Sequence, residues 1–332
     1  MLKIGALKLS SNLILSPMAG VSDFPFRLLT RKFGAELAFV EMINARSLGY
    51  KSKETQRMLF TNHKDKPLGV QLLGCEENFI QRAMDILQRY EFDILDFNAA
   101  CPAKKVIRRG EGAGLLKDPK KLKILLKLIV KNSKVPVTVK IRAGWDKDSL
   151  NAKEAALYAQ DAGISGLFIH GRTRAQGYSG RVDYKIIKAV KKALSIPVIA
   201  SGDILSAALA KKMFEETGCD AIAVARGALG NPWIFKEIEE YLAHGKIIPR
   251  PAAKKILQTM LEHLDLCIDF YGERIGVVIF RKFIAWYTRG LRKTRPLREQ
   301  ASRAKTKAEI LQLTEEFLPL SLPPPANPRK YS

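Results

Sequence analysis

Val137-Thr138-Val139-Lys140-Ile141 is a short run, β-branched at four of its five positions, and it reads as a buried strand. Helical periodicity flanks it, from Lys120 to Lys131 before it and from Ala152 to Ala162 after it. A second strand-like run, Gly166-Leu167-Phe168-Ile169-His170, comes next. Strand, helix, strand in that order is a βαβ unit with parallel strands. Six more runs extend the pattern outward: Leu13 to Ser16, Leu37 to Val40, Leu68 to Gln71, Asp93 to Phe97, Val198 to Ala200 and Ala221 to Val224. Helical patterns at Asn78 to Tyr90, Tyr184 to Leu194 and Ser206 to Glu216 lie between them. Eight strands starting roughly thirty residues apart, within about 230 residues, have the size of a (β/α)8 TIM barrel. A doubly wound open sheet is the competitor, and it rarely needs eight regular units. The lead-in from Leu2 to Leu9 reads as a small hairpin closing the barrel floor.

After Pro232 the pattern changes. Ala252 to Tyr271, Val277 to Leu291 and Ser302 to Phe317 read as helices, with no strand-like run among them. The expected organisation is a catalytic barrel over residues 1–244, a small all-helical C-terminal domain over 245–318, and a disordered tail over 319–332 that holds five prolines. The 332 residues include 56 Lys/Arg and 33 Asp/Glu, a net charge of +23, of which residues 245–332 carry +9. A protein this basic meets a polyanion or keeps a lysine-rich surface for solubility. No apolar run is long enough to span a membrane, and the N-terminus lacks the features of a signal peptide. Four dispersed cysteines exclude a disulfide scaffold and a thiolate zinc site, and they fit reduced thiols in a cytoplasm.

In a barrel of this kind, chemistry sits at the C-terminal ends of the strands. Those ends carry Pro17-Met18-Ala19, Glu41, Gln71, Asn98-Ala99-Ala100-Cys101-Pro102, Lys140 with Arg142, His170, Ser201-Gly202-Asp203 and Ala225-Arg226-Gly227. Polar groups at every end make one coherent mouth. The last two loops are where barrels often bind phosphate: small residues admit backbone N–H groups and Arg226 adds a charged fork. Read separately, they are also ordinary turn glycines and a surface arginine. Lys140 fits a Schiff-base lysine, a group stabilising negative charge on a cofactor, or a side chain snorkelling to solvent. His170 fits a structural or a functional histidine. Cys101 fits a proton donor, since a thiol with a pKa of about 8.5 is protonated at neutral pH, or a small hydrophobe in a loop.

Taken together these stretches resemble the dihydrouridine synthases, flavoenzymes that reduce uridine in tRNA, and most closely the bacterial B type. The resemblance rests on Leu15 to Asp23, Val70 to Gly74, Asp96 to Pro102, Val139 to Arg142, Ile169 to Arg174, Ser201 to Ile204, Arg226 to Trp233 and Arg281 to Tyr287, in order and spacing. It implies FMN as cofactor, NADPH as reductant, tRNA as partner and a monomer. By position it implies that Pro17, Met18 and Ala19 line the flavin ring, that Gln71 and Lys140 meet its pyrimidine end, and that His170 lies beside it. Ser201, Gly202, Asp203, Ala225 and Arg226 would hold its phosphate. Cys101 would be the catalytic acid, protonating uracil C5 after hydride reaches C6. Asn98, Arg142, Arg174, Arg281, Lys282 and Arg289 would contact RNA. Three positions depart from the family pattern: Ala100 stands for glycine before the cysteine, Ser201 for asparagine and Ala225 for glycine.

From Phe280 to Arg298 the chain holds Arg281, Lys282, Arg289, Arg292, Lys293, Arg295 and Arg298 with no acid among them, interleaved with Phe283, Trp286 and Tyr287. The favoured reading packs the aromatics into the small domain's core and turns the charges toward RNA. The other function classes open to this sequence are an FMN barrel acting on a small molecule, a lysine-dependent aldolase and a non-catalytic RNA-binding protein.

Overall fold

The structure is a computed structural model, and it describes residues 1–50, 53–291 and 294–317. The Pro-rich tail, Arg292 and Lys293 lie outside the described residues. The chain divides into two compact units, Met1–Gly227 and Ala228–Ser332.

The first unit opens with an antiparallel hairpin, β1 (Leu2–Ile4) and β2 (Leu7–Leu9). The barrel strands follow: β3 (Leu13–Leu15), β4 (Leu37–Phe39), β5 (Ile43–Asn44), β6 (Leu68–Leu73), β7 (Ile94–Ala99), β8 (Val137–Arg142), β9 (Gly166–His170), β10 (Val198–Ser201) and β11 (Ala221–Val224). Every barrel pairing is parallel. The ladder runs β4-β3-β11-β10-β9-β8-β7-β6-β5, and β4 also pairs with β6. That pairing, Ala38 with Leu68 and Phe39 with Gly69, closes a TIM barrel and excludes the open sheet. All eight expected strands are present. The added β5 prolongs the line of β4 beyond the break at Val40–Met42 and pairs Ile43 with Leu72. Two residues are too few to leave a periodic signal.

Several of the barrel helices begin where the sequence provides caps. Asp118 accepts a hydrogen bond from the Lys121 N–H, Pro119 opens the helix Pro119–Asn132, and Leu122, Leu125, Leu126 and Ile129 form its buried stripe. Asp183 and Ser206 cap Tyr184–Ala193 and Ala207–Thr217 in the same way. The hairpin plugs the barrel floor: Leu2, Ile4 and Leu9 join Ile14, Leu37, Phe39, Ile94, Phe168 and Ile199 in one buried cluster. The Phe39 and Phe168 rings meet edge to face at 5.5 Å. Gly69 makes room for them, because a Cβ there would stand 2.2 Å from the Phe39 ring.

The second unit holds the helices Ile234–His244, Ala253–Tyr271, Glu273–Tyr287, Arg295–Ala301 and Lys307–Phe317. Ile234–His244 falls within residues 1–244, the span expected for the barrel, and Arg295–Ala301 lies between two of the expected helices. Trp233, at the head of that first helix, meets Tyr287 edge-on at 6.4 Å, a contact internal to the helical unit, so the helical unit begins ahead of residue 245. Phe280, Phe283 and Tyr287 are fully buried around His263, whose ring is 4.4 Å from Phe283. Of the interleaved aromatics, Phe283 and Tyr287 are thus core, while Trp286 is half-buried. No helix among the described residues is long and apolar enough to cross a membrane.

Candidate active site

Along each barrel strand, residues two apart share a face. Ile14 is followed by Ser16, Phe168 by His170 and Ile199 by Ser201, so the interior turns from apolar to polar within one step. Above that step lies a cavity of about 410 Å³. Its lining includes all eleven positions expected to hold cofactor: Pro17, Met18, Ala19, Gln71, Lys140, His170, Ser201, Gly202, Asp203, Ala225 and Arg226. Cys101, Asn98 and Arg142 line it too.

One hydrogen-bond chain runs under the cavity to the cysteine loop. Asp96, fully buried on β7, accepts from Thr138 Oγ1–H at 2.8 Å and from Gln71 Nε2–H at 2.7 Å. Gln71 Oε1 accepts from Asn98 Nδ2–H at 2.8 Å. Asn98 Oδ1 then accepts the backbone N–H groups of Ala100 at 3.0 Å and Cys101 at 2.8 Å. The Cys101 carbonyl accepts from the Ala113 N–H at 3.1 Å, and the Ala100 carbonyl from Arg142 Nε–H at 2.7 Å. The loop presenting the thiol is therefore held from both sides, while Cys101 itself stays half-exposed. Ala100 does not adopt a left-handed φ, so the backbone there does not call for glycine.

Burial raises the Asp96 carboxyl to about 6, against the hydrogen bonds from Gln71 and Thr138 and the charge of Lys140. Burial lowers Lys140 to about 8, and Asp96 opposes that shift. Each keeps the other ionised at neutral pH. No described residue accepts a hydrogen bond from the Lys140 ammonium, which leaves a cation facing the cavity. His170 is pushed down to about 2, first by burial and then by Arg142, Lys140, Arg172 and Arg226. It is a neutral imidazole and not an acid. Ser16 adds a buried hydroxyl without a hydrogen-bond partner on the cavity wall.

At the loops after β10 and β11, Asp203 accepts from Arg226 at 2.8 Å and takes a bidentate contact from Arg172, one bond at 2.9 Å and the other to Oδ2. Asp203 has φ +50°, a conformation aspartate tolerates better than most residues. Beside it Gly202 has φ +118°, and a Cβ would meet Val182 at 2.8 Å and the His170 ring at 3.1 Å. Only glycine brings the backbone this close to the histidine. Ser201 Oγ donates to the Ile169 carbonyl at 3.1 Å, which satisfies the serine inside the barrel wall.

The expected RNA-contacting residues separate. Arg142 is buried and donates to the carbonyls of Ala100, Thr173 and Gly177, clamping two loops together. Arg174 lies on the Trp145 ring, 4.4 Å from its centroid, and is absent from the cavity lining. In the helical unit, Arg281 donates to the Ala304 carbonyl at 2.7 Å, Lys282 lies over the Phe283 ring, and Arg289 is exposed. Four residues of the site were not singled out from sequence: Asp96, Arg172, Met42 and Tyr178. Tyr178 stands at the mouth, 4.8 Å from the Arg226 guanidinium and 5.6 Å from that of Arg142. It lies eight positions beyond the end of β9, where no strand-end rule reaches.

Comparison with known proteins places this arrangement. The chain matches the family model for dihydrouridine synthase (Dus) over residues 14–321. A "Probable tRNA-dihydrouridine synthase" of Rickettsia bellii is 43% identical over 292 residues, 88% of this chain and 90% of that one. The "tRNA-dihydrouridine synthase B" of Pseudomonas aeruginosa is 40% identical over 316 residues, 95% of each chain. Among solved structures, histamine dehydrogenase from Rhizobium sp. 4-9 has a TM-score of 0.57 at 12% identity. That match covers 85% of this chain and 50% of the other, a likeness of fold alone. On the family match and on identity across nearly the whole length, the chain belongs to the dihydrouridine synthase family.

Proposed function

We propose that the protein reduces the C5=C6 bond of uridines in tRNA to 5,6-dihydrouridine, with FMN as its resident cofactor and NADPH as reductant. The observation that carries this reading is the hydrogen-bond chain from Asp96 through Gln71 and Asn98 to Cys101. It fixes one thiol at the edge of a cavity that has the volume of a small-ligand site. Two features fit a bound flavin. Lys140 offers the cavity a cation without an acceptor, and Ser16 offers it a buried hydroxyl without a partner. Lys140 and Gln71 would hold the electron-accepting end, Pro17, Met18, Ala19 and His170 the ring, and Ser201, Gly202, Ala225 and Arg226 the phosphate. Asp203 serves by orienting Arg226.

When bound, FMN supplies the hydride that goes to uracil C6. The Cys101 Sγ–H gives the proton to C5, and the resulting thiolate regains a proton from solvent. Asn98 Nδ2 donates to Gln71 and, at 3.2 Å, to the Met42 thioether. A thioether is a weak acceptor, so a uracil carbonyl replaces it at little cost. His170, kept neutral, adds no competing acid. Arg142 positions the Cys101 loop through the Ala100 carbonyl. Four unpaired thiols support a reducing, cytoplasmic setting.

The test joins a spectrum to a product assay. The purified protein should show flavin bands that bleach with NADPH under anaerobic conditions, and unmodified tRNA should gain two hydrogens by mass. Cys101→Ala should keep the bands and lose turnover by about a hundredfold or more. Full activity in that variant refutes the acid assignment. A colourless protein that takes up no FMN refutes the cofactor.

A further inference from the structure

Most cations at the barrel mouth have acceptors: Arg142 has three carbonyls, and Arg172 and Arg226 share Asp203. Besides Lys140 inside the cavity, two neighbours do not. Lys117 Nζ lies 3.9 Å from the centroid of the Trp145 ring, and the Arg174 guanidinium lies 4.4 Å from the same centroid. Neither forms a salt bridge or a side-chain hydrogen bond with any described residue, and Arg174 Nε is buried without a partner. Two like charges on one indole repel each other. A cation–π contact at an exposed site returns only about 0.5–1 kcal/mol. An arrangement that gathers two cations and pairs neither with a carboxylate is suited to an anion from outside.

The scaffold under these side chains is rigid and tied to the thiol. The loops after β8 and β9 are zipped by Ala143 N–H to the Arg172 carbonyl (3.1 Å), Arg174 N–H to that of Gly144 (2.9 Å) and Ala175 N–H to that of Trp145 (2.9 Å). Asn151 Nδ2 donates to the Leu116 carbonyl at 2.6 Å, which fixes the residue before Lys117. Arg142 joins the zipped loops to Ala100, next to Cys101. Lys117 and Arg174 thus stand in a fixed relation to the reacting thiol while remaining outside the cavity lining.

We propose that Lys117 and Arg174, mounted on Trp145, form a phosphodiester-binding site for the RNA strand that carries the target uridine. The inference rests on the reading above that RNA is the substrate, and it names where the strand is gripped. A uridine must be extruded to reach the cavity, which costs a few kcal/mol. Charge-assisted contacts to a flanking phosphate offset that cost and set the strand's position relative to Cys101. The indole holds the two cations and does not act as a base-stacking platform, because they already lie on its ring.

The experiment measures binding of unmodified tRNA transcript to wild type, Lys117→Gln and Lys117→Arg by fluorescence anisotropy across a salt series. Bound flavin absorbance reports that each variant is folded. Lys117→Gln should weaken binding about tenfold at low salt and reduce the slope of log affinity against log salt by about one. Lys117→Arg should restore both. Equal affinity and slope in Lys117→Gln overturn the proposal. So does a loss of affinity at unchanged slope, which would mean that no phosphate contact was removed. Dihydrouridine formation by wild type tests the parent reading separately: its absence defeats that reading, while the salt slopes still report on this site.

Discussion

The floor and the mouth of the barrel are made from the same strands, two residues apart, and they obey different rules. At the floor, Ile14, Phe39, Phe168 and Ile199 pack against the hairpin and need only suitable volume. At the mouth, Ser16, Asp96, Gln71 and His170 are buried polar groups, with Lys140 half-buried beside them. Burying such groups costs stability unless every bond is made, and the shifts of Asp96, Lys140 and His170 reflect it. The lesson is that one strand can separate folding from chemistry by a single step of its pleat. Three changes break or sharpen that contrast.

The largest effect belongs to the floor. Phe39→Ala removes a fully buried ring that meets Phe168 edge-on and fills the space left by Gly69. It should cost about 3–5 kcal/mol, read from denaturant unfolding with flavin bound. Activity per folded molecule should stay close to wild type, because Phe39 does not line the cavity. A stable Phe39→Ala variant with crippled turnover would erase the division between the two layers.

The mouth should respond the opposite way. Asp96 is raised to about 6 and Lys140 lowered to about 8, each first by burial. Turnover should therefore rise through a limb near pH 6 and fall through one near pH 8, both belonging to the coupled pair. His170 contributes no limb, since it is already neutral across that range. Asp96→Asn should remove the acidic limb. It should also move the alkaline limb downward, because Lys140 loses the anion that supports its charge. Turnover at pH 7 should fall about tenfold as the chain to Cys101 loosens. The stability sign differs. Asp96 titrates higher in the fold than its ordinary 3.8, so its contribution is present below that pH and is lost as pH rises through about 6. At neutral pH the ionised carboxylate is a cost carried for the site. A pH profile of Asp96→Asn that superposes on wild type would remove Asp96 from the mechanism.

The contrast also explains what could be read in advance. The eight strands were legible because each is a short apolar run set between helical patterns. The cavity was legible because strand-end polar residues follow inward-facing apolar ones at a period of two. Asp96 escaped notice because it sits inside the run from Asp93 to Phe97, where a carboxylate reads as part of a strand. Its role appears only when β6 brings Gln71 and β8 brings Thr138 beside it. Tyr178 arrives from a loop, and its place depends on a backbone path that no periodicity encodes. Arg142 and Arg281 look like RNA contacts in sequence, since basic residues in a basic protein invite that reading. Their donors go to backbone carbonyls, a use of arginine that only a folded chain reveals. Arg174 and Lys117 show the reverse: the cation without a partner is recognised by finding every other guanidinium at the mouth satisfied.

The smallest effect should come from the departure next to the thiol. Ala100 is buried, its N–H donates to Asn98 Oδ1 and its carbonyl accepts from Arg142. Both bonds use backbone atoms, and the only described non-glycine residue with positive φ is Asp203. Glycine at this position therefore gains no conformation that alanine lacks. Ala100→Gly should act through the unfolded chain, costing about 0.4–1 kcal/mol by thermal or denaturant unfolding. Turnover should remain within about twofold of wild type, because the loop's clamps are untouched. A larger change in rate, with the stability loss as expected, would mean that the Ala100 methyl itself sets the distance between thiol and substrate. The mouth would then depend on packing as strictly as the floor does.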